Sequence, residues 1–120
     1  FDLGLLQANE KPFTNKWLEA PKINLLKGLE LKKVSGVTVN TVSGSIDTIQ
    51  RITDMYSPEV ESMEGAAMHY VCLQEGVQFV QIRAISNYVE PRDKSKWQMG
   101  RAINSLNDVL KAFADSLKDA

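Results

Sequence analysis

The chain is poor in the residues that mark several functional classes. Its 120 residues include one cysteine, Cys72, and one histidine, His69. A single cysteine excludes an internal disulfide and fits a reducing compartment, so a cytoplasmic location is predicted. One histidine without a second histidine or cysteine at ligand spacing predicts no metal site. No apolar run is long enough to span a bilayer, and the first residues lack the pattern of a signal peptide.

The chain also has no large excess of positive or negative charge. Lysine and arginine number 14 against 15 aspartate and glutamate residues, and the densest basic pair is Lys32-Lys33. Nucleic acids and anionic membranes bind concentrated basic surfaces, so neither is predicted as a partner.

Neither GxGxxG nor GxxxxGK[ST] occurs in the sequence. The motifs for dinucleotides and for P-loop phosphates are therefore absent, and no cofactor is predicted.

The size of the chain suits one domain with a modest core, since 43% of its 120 residues are hydrophobic. It begins with Phe1 rather than methionine, and residues 1–12 carry no periodic pattern and predict a loop or an extended segment. We therefore expect residues 1–120 to be the carboxyl-terminal part of a longer single domain. Part of any functional site would then lie outside this sequence.

Two short helices are predicted near the amino terminus. Thr14 and Asn15 are suited to cap a helix that runs through Ala20 and ends before Pro21. Residues 23–31 favour a second helix.

From residue 34 onward, strand patterns alternate with helix patterns. β-branched residues predict a strand at 34–43, and Ser45 then caps a helix that stops at Ser57-Pro58. Further strands are predicted at 59–63 and 78–86, and further helices at 64–75 and 97–117. This alternation predicts an α/β fold with a mixed, largely parallel sheet between helix layers, which is an incomplete three-layer α/β/α arrangement here.

Glu64 follows a short predicted strand and opens a helix. A carboxylate at the carboxyl end of a strand is placed to accept two hydrogen bonds from a vicinal diol, as a ribose offers. The alternative is a structural glutamate favoured by the helix dipole. Met63, its neighbour, packs either against a sugar or in the core.

Arg83 and Asn87 lie on the last predicted strand and at its end. A buried arginine needs carboxylate partners, and Glu61 or Glu64 would supply one; this structural pairing is favoured over direct ligand contact. The Asn87 amide offers an acceptor and a donor together, which matches a 6-oxopurine. A strand-end asparagine that forms a turn remains the alternative.

Taken together, these residues resemble the nucleoside phosphorylase/nucleosidase superfamily. Residues 62–67 (Ser-Met-Glu-Gly-Ala-Ala) are similar to the ribose-binding segment of methylthioadenosine/S-adenosylhomocysteine nucleosidases, and residues 83–87 (Arg-Ala-Ile-Ser-Asn) resemble their Arg-x-Ile-Ser-Asp motif. The resemblance implies a nucleoside phosphorylase-like fold. It implies catalytic roles for Asn87 and Ser86, and substrate binding by Glu64, Met63, Ser62, Ser45, Thr48 and Arg83.

One position departs from that motif, because Asn87 stands where the adenine-specific enzymes have aspartate. Asparagine cannot act as a general acid, but it suits hypoxanthine. Residues 11–18, 38–45 and 61–67 also resemble the futalosine hydrolases. This resemblance implies hydrolysis of the N-glycosidic bond of futalosine, giving hypoxanthine and dehypoxanthine futalosine in menaquinone biosynthesis. A phosphate-dependent purine nucleoside phosphorylase and a non-catalytic nucleoside-binding module remain open.

Members of the superfamily are about twice as long as this chain, as the resemblance implies. The missing half would carry the residue that activates water, so residues 1–120 alone are expected to be inactive. The resemblance also implies a homo-oligomer, dimeric or larger, in which a neighbouring subunit closes the pocket. Neither a metal nor a cofactor is expected.

Overall fold

The computed structural model describes residues 3–24 and 28–118. These residues form a small mixed α/β unit in which short strands alternate with helices. The elements are β1 (Gly36–Thr38), α1 (Ile46–Tyr56), β2 (Val60–Ser62), α2 (Gly65–Gln74) and α3 (Met99–Lys118), with a 3₁₀ turn at Lys94–Lys96. The predicted α/β class is confirmed, although both strands are shorter than predicted.

β1 and β2 pair in parallel, and α1 forms the crossover between them. Gly36 lies opposite Val60, and Thr38 lies opposite Ser62. The carboxyl ends of both strands therefore meet at one edge of the sheet. Ligands bind at this edge in open α/β sheets, and Met63 and Glu64 follow directly after β2.

Helix α1 begins as its sequence predicts. The Ser45 side chain accepts a hydrogen bond from the Thr48 backbone N–H at 3.3 Å, and Asp47 occupies the first turn. Ser57, with a φ of 43°, ends the helix in the left-handed region. The hydroxyl cap and the early carboxylate both act on the unsatisfied N–H groups of the first turn, which explains why this start is readable from sequence.

The predicted helix at residues 14–20 is wrong. Thr14 and Trp17 instead exchange backbone hydrogen bonds of 2.8 and 2.9 Å across a tight turn. The two residues between them, Asn15 and Lys16, have φ values of 47° and 71°. A two-residue turn with positive φ at both central positions is the common hairpin type, and asparagine favours it. Asn15, which we interpreted as a helix cap, is therefore a central residue of a turn.

The second predicted amino-terminal helix, at residues 23–31, falls partly outside the described residues, because 25–27 are not among them. Within the described part, residues 28–31 are not helical, and Gly28 has a φ of 99°. Residues 3–12 form the predicted loop, and residues 1–2 also lie outside the described ranges.

The predicted strand at 78–86 forms no ladder within the described residues. Phe79, 7% exposed, is nevertheless a core residue, and it packs edge-on against His69 with ring centroids 4.8 Å apart. Composition and alternation are properties of the segment itself, whereas burial and a ladder both need neighbouring elements. Burial is also narrower than predicted, because Phe79 is the one buried residue of this segment and Ile85 is 58% exposed.

Helix α3 carries an apolar stripe that is partly exposed to solvent. Ile103, Leu110 and Leu117 are 54%, 43% and 44% exposed. The described residues therefore show a two-stranded sheet with helices but not three complete layers. Among these same residues, no helix is both long and apolar enough to cross a membrane.

Candidate active site

Glu64 stands at the start of α2 without capping it. It occupies the N-cap position with a φ of −124°, and its side chain makes no capping hydrogen bond. The Gly65 N–H instead donates to the Ser62 hydroxyl at 3.2 Å, and the Ala66 N–H donates to the Thr38 hydroxyl at 2.8 Å. Two neighbouring hydroxyls thus satisfy the first helical N–H groups, and the Glu64 carboxylate remains available to a ligand.

Met63 is not a core residue in the described part of the chain, because 47% of its surface is exposed. Ser62, by contrast, is half-buried, and its hydroxyl is engaged by Gly65. Of these two predicted binding residues, Met63 presents a free apolar surface beside Glu64, while Ser62 shapes the backbone that carries both.

Arg83 differs from its prediction. It is exposed rather than buried, and no carboxylate of the described residues lies within ion-pair distance of it. The predicted pairing with Glu61 or Glu64 is therefore wrong. Its Nε donates to the Gln81 side-chain oxygen at 2.6 Å instead. A neutral amide holds the arginine in place, which leaves the charge of the guanidinium uncompensated.

A shallow cavity of about 330 Å³, largely open to solvent, lies between α2, α3 and residues 81–84. Glu64 and Arg83 both line it, so an acceptor and a cation share one space. The remaining lining residues are Met68, Gln81, Ile82, Ala84 and Leu106. A hydroxyl-rich or electronegative ligand fits such a mixed lining.

Ser86 and Asn87 contact each other directly. The Ser86 hydroxyl donates to the Asn87 Oδ1 at 2.5 Å, and the Asn87 Nδ2 donates to the Tyr88 carbonyl oxygen at 3.0 Å. The Tyr88 carbonyl only accepts, which fixes the orientation of the amide. One lone pair on Oδ1 and one N–H on Nδ2 remain, so Asn87 can still offer the acceptor and donor pair predicted for it.

Ser45 and Thr48 hydrogen bond to each other, with 2.9 Å between their hydroxyl oxygens. The loop before them is tied to β2, because the Glu61 Oε1 accepts a hydrogen bond of 3.0 Å from the Ser43 N–H. Ser43 is 3% exposed, and within the described chain its buried hydroxyl has no hydrogen-bond partner. Glu61 therefore anchors the loop that leads to α1 rather than pairing with Arg83.

The predicted site residues fall into separate local groups. Glu64 and Arg83 share the cavity, Ser86 contacts Asn87, and Ser45 contacts Thr48. The cavity lining does not include Asn87, Met63 or either member of the Ser45–Thr48 pair.

Thr38 and Gln81 contact the segments that carry the candidate site, but the sequence interpretation did not single them out. Gln81 had a readable signal, since it lies on the same alternating face as Phe79 and Arg83. Thr38 had none, because its contact with Ala66 spans 28 positions of sequence.

His69 packs within the fold. Its Nδ1 lies 3.2 Å from the Leu18 carbonyl oxygen, and its ring contacts Phe79. Among the described residues, no group of three or more histidine, cysteine or acidic side chains could hold a metal ion.

Two carboxyl groups away from the cavity have altered pKa values. The hydrogen bond from the Lys32 ammonium holds the pKa of Glu59 below its ordinary value. The hydrogen bonds that Ser95 donates, first from its hydroxyl and then from its backbone N–H, lower the pKa of Asp93. Both carboxyls are therefore ionised at neutral pH.

A free carboxylate where a strand meets a helix, beside an arginine, is the kind of site that an α/β enzyme offers to a hydroxyl-bearing ligand.

Comparison with known proteins shows which enzymes the chain resembles. The chain is 32% identical over 108 residues to a futalosine hydrolase of Thermus thermophilus, a match that covers 88% of the chain and 48% of that protein. It is 30% identical over 83 residues to a futalosine hydrolase of Streptomyces coelicolor, covering 68% of the chain and 35% of that protein.

A futalosine hydrolase of Acidothermus cellulolyticus is 31% identical over 78 residues, with 64% of the chain and 32% of that protein covered. The predicted resemblance to futalosine hydrolases is confirmed by these matches. The chain spans about half the length of the first of these curated relatives, and less of the others. No protein-family model matches it, and no solved structure gives a significant match.

Proposed function

We propose that this chain is part of a purine nucleosidase that hydrolyses the N-glycosidic bond of futalosine. The products would be hypoxanthine and dehypoxanthine futalosine, and the reaction would serve menaquinone biosynthesis. Similarity to three futalosine hydrolases supports the substrate. The observation that carries the chemistry is the Glu64 carboxylate, which caps nothing because Ser62 and Thr38 already satisfy the helix start.

In this proposal, cleavage passes through a transition state in which positive charge grows on the ribose and negative charge on the base. Glu64 accepts hydrogen bonds from the ribose hydroxyls and places a negative charge near the growing cation. Met63, whose side chain is half exposed beside Glu64, packs against the sugar. Ser62 keeps the start of α2 in place beneath them.

Asn87 stabilises the departing base. Its remaining acceptor position receives the hydrogen of a protonated N7, and its remaining N–H donates toward O6 of hypoxanthine. Ser86 orients the amide through its 2.5 Å hydrogen bond. The backbone of residues 44–48, held by the Ser45–Thr48 pair, contacts the base edge, and Arg83 binds an electronegative group in the cavity.

The same proposal extends to the whole enzyme. A preceding half would complete the sheet into a three-layer nucleoside phosphorylase-like domain and supply the water-activating residue. We propose a cytoplasmic homo-oligomer. The exposed apolar stripe of α3 supports a covering layer, since contiguous apolar surface is normally buried.

The test is base release by the complete enzyme from futalosine, inosine and methylthioadenosine, each with and without phosphate. The proposal expects hypoxanthine from futalosine without phosphate. Phosphate-dependent release from inosine would instead identify a phosphorylase. Binding of futalosine without any release would identify a non-catalytic nucleoside-binding protein.

A further inference from the structure

The side chain of Gln81 joins the two segments that carry the candidate site. Its Oε1 accepts the 2.6 Å hydrogen bond from Arg83, while its Nε2 lies 3.3 Å from the Gly65 carbonyl oxygen and 3.4 Å from the Met68 sulfur. A guanidinium only donates and a carbonyl only accepts, so the amide satisfies both in one orientation only. Gln81 therefore connects Arg83 to the first turn of α2.

The packing around Gly65 restricts this connection further. A Cβ atom at Gly65 would lie 2.6 Å from the Ser62 Oγ, 3.0 Å from the Gln81 Oε1 and 3.4 Å from the Arg83 Nη2. These side chains approach the helix backbone closely because residue 65 has no side chain. The Gln81 Oε1 and the Arg83 Nη2 therefore both occupy space that a side chain at residue 65 would take.

Glu64 directly precedes Gly65, and it lines the same cavity as Arg83 without forming an ion pair with it. A carboxylate in place of the Gln81 amide would neutralise the guanidinium. The amide instead fixes the direction of the guanidinium and preserves its charge for a ligand.

We propose that Gln81 is a positioning residue of the nucleosidase, an inference that rests on the function proposed above. It sets the separation between the Arg83 guanidinium and the Glu64 carboxylate by bonding to Arg83 and to the turn that carries Glu64. Gln81 acts on the reaction through Arg83 and touches no reacting atom itself.

The first experiment is a double-mutant cycle in the complete enzyme. Gln81→Met keeps the length of the side chain but removes its hydrogen bonds, and we expect kcat/KM for futalosine to fall about 10-fold or more. The same change in an Arg83→Met background should cause no further loss, because the residue that it positions is already gone. Equal losses in both backgrounds would overturn the inference. Gln78→Met, an exposed position on the same segment, is the matched control and should leave kcat/KM unchanged.

A second readout does not depend on catalysis. Hydrogen exchange at the Arg83 Nε–H, followed by ¹⁵N NMR, should be slow in the wild-type enzyme and about 10-fold or more faster in Gln81→Met. Unchanged exchange would show that Gln81 does not hold Arg83 and would overturn the inference. If the wild-type enzyme releases no hypoxanthine, the proposed function fails, yet the exchange measurement still decides whether Gln81 positions Arg83.

Discussion

The hydroxyl of Thr38, the last residue of β1, accepts a 2.8 Å hydrogen bond from the Ala66 N–H in the first turn of α2. The sheet therefore caps the helix across 28 positions of sequence. A helix start that is satisfied from outside does not need its own N-cap side chain. This relationship explains why Glu64 can occupy the N-cap position and still keep a carboxylate for a ligand.

Replacing Thr38 with valine tests this capping. Thr38→Val preserves the shape of the side chain but leaves the part-buried Ala66 N–H without its acceptor. We expect the free energy of unfolding of the complete enzyme to fall by about 1–3 kcal/mol. Thr41→Val, at an exposed loop position, is the control. Equal stability of both variants in chemical denaturation would contradict the capping role.

Glu64→Gln tests the role of the free carboxylate. The charge near the ribose is lost, so we expect turnover of futalosine to fall on the order of 100-fold or more. The melting temperature should stay close to that of the wild type, because within the described chain the Glu64 side chain makes no hydrogen bond. Glu75→Gln, at the other end of α2, is the control. Near-normal turnover in Glu64→Gln would remove the ribose-binding role.

Gly65→Ala tests the close packing at the start of α2. The new methyl group would lie 2.6 Å from the Ser62 Oγ, so neighbouring groups must move, and we expect destabilisation of about 1–3 kcal/mol. Gly100→Ala, in α3, meets no atom within 4 Å and should stabilise the protein by up to about 1 kcal/mol. Thermal and denaturant unfolding of both variants gives the comparison. Stabilisation by both changes would show that the start of α2 is loosely packed.

The parts of the fold that depend on neighbouring residues in sequence could be predicted. Ser45, Asp47 and the stop at Ser57 fixed both ends of α1, because caps and breakers act within one turn of the helix. Residues that depend on distant partners were harder to interpret. Asn15 favours a left-handed turn as readily as a helix cap, and the sequence alone did not distinguish the two outcomes.

The candidate site shows the same limit. Glu64 and Asn87 were singled out because their residue types and positions already indicate chemistry. Arg83 was given a carboxylate partner, since charge complementarity is the usual rule for a buried arginine. The structure leaves Arg83 exposed and provides Gln81 instead. The Gln81–Arg83 contact spans two positions, but the sequence alone did not show whether Arg83 would be buried beside a carboxylate or exposed beside this amide.

The Asp93 carboxyl provides a pH-dependent contact away from the cavity. Hydrogen bonds from Ser95 hold its pKa below the ordinary value, so its contribution to stability is present at neutral pH and is lost as the pH falls through the folded-state pKa. We expect Ser95→Ala to move the pKa of Asp93 back up, because the hydroxyl donor is the largest cause of the shift. An NMR titration of the Asp93 side chain measures this change. An unaltered pKa in Ser95→Ala would contradict the assignment of the cause.

Asn87→Asp tests how the base is recognised. An aspartate at this position would still accept the hydrogen bond from the Ser86 hydroxyl, but it would lose the N–H that the amide donates to the Tyr88 carbonyl oxygen. A protonated acid can donate to N7 of adenine, whereas the asparagine amide pairs its acceptor and donor with a 6-oxopurine.

We therefore expect Asn87→Asp to lower the ratio of kcat/KM for futalosine to kcat/KM for its 6-amino analogue. The expected fall is about 10-fold or more, as for the loss of a hydrogen bond to a matched base. Base release from both substrates under single-turnover conditions measures the ratio. Ser86→Ala should lower kcat/KM for futalosine, since Ser86 orients the amide that pairs with the base. An unchanged ratio in Asn87→Asp would place base recognition elsewhere in the enzyme.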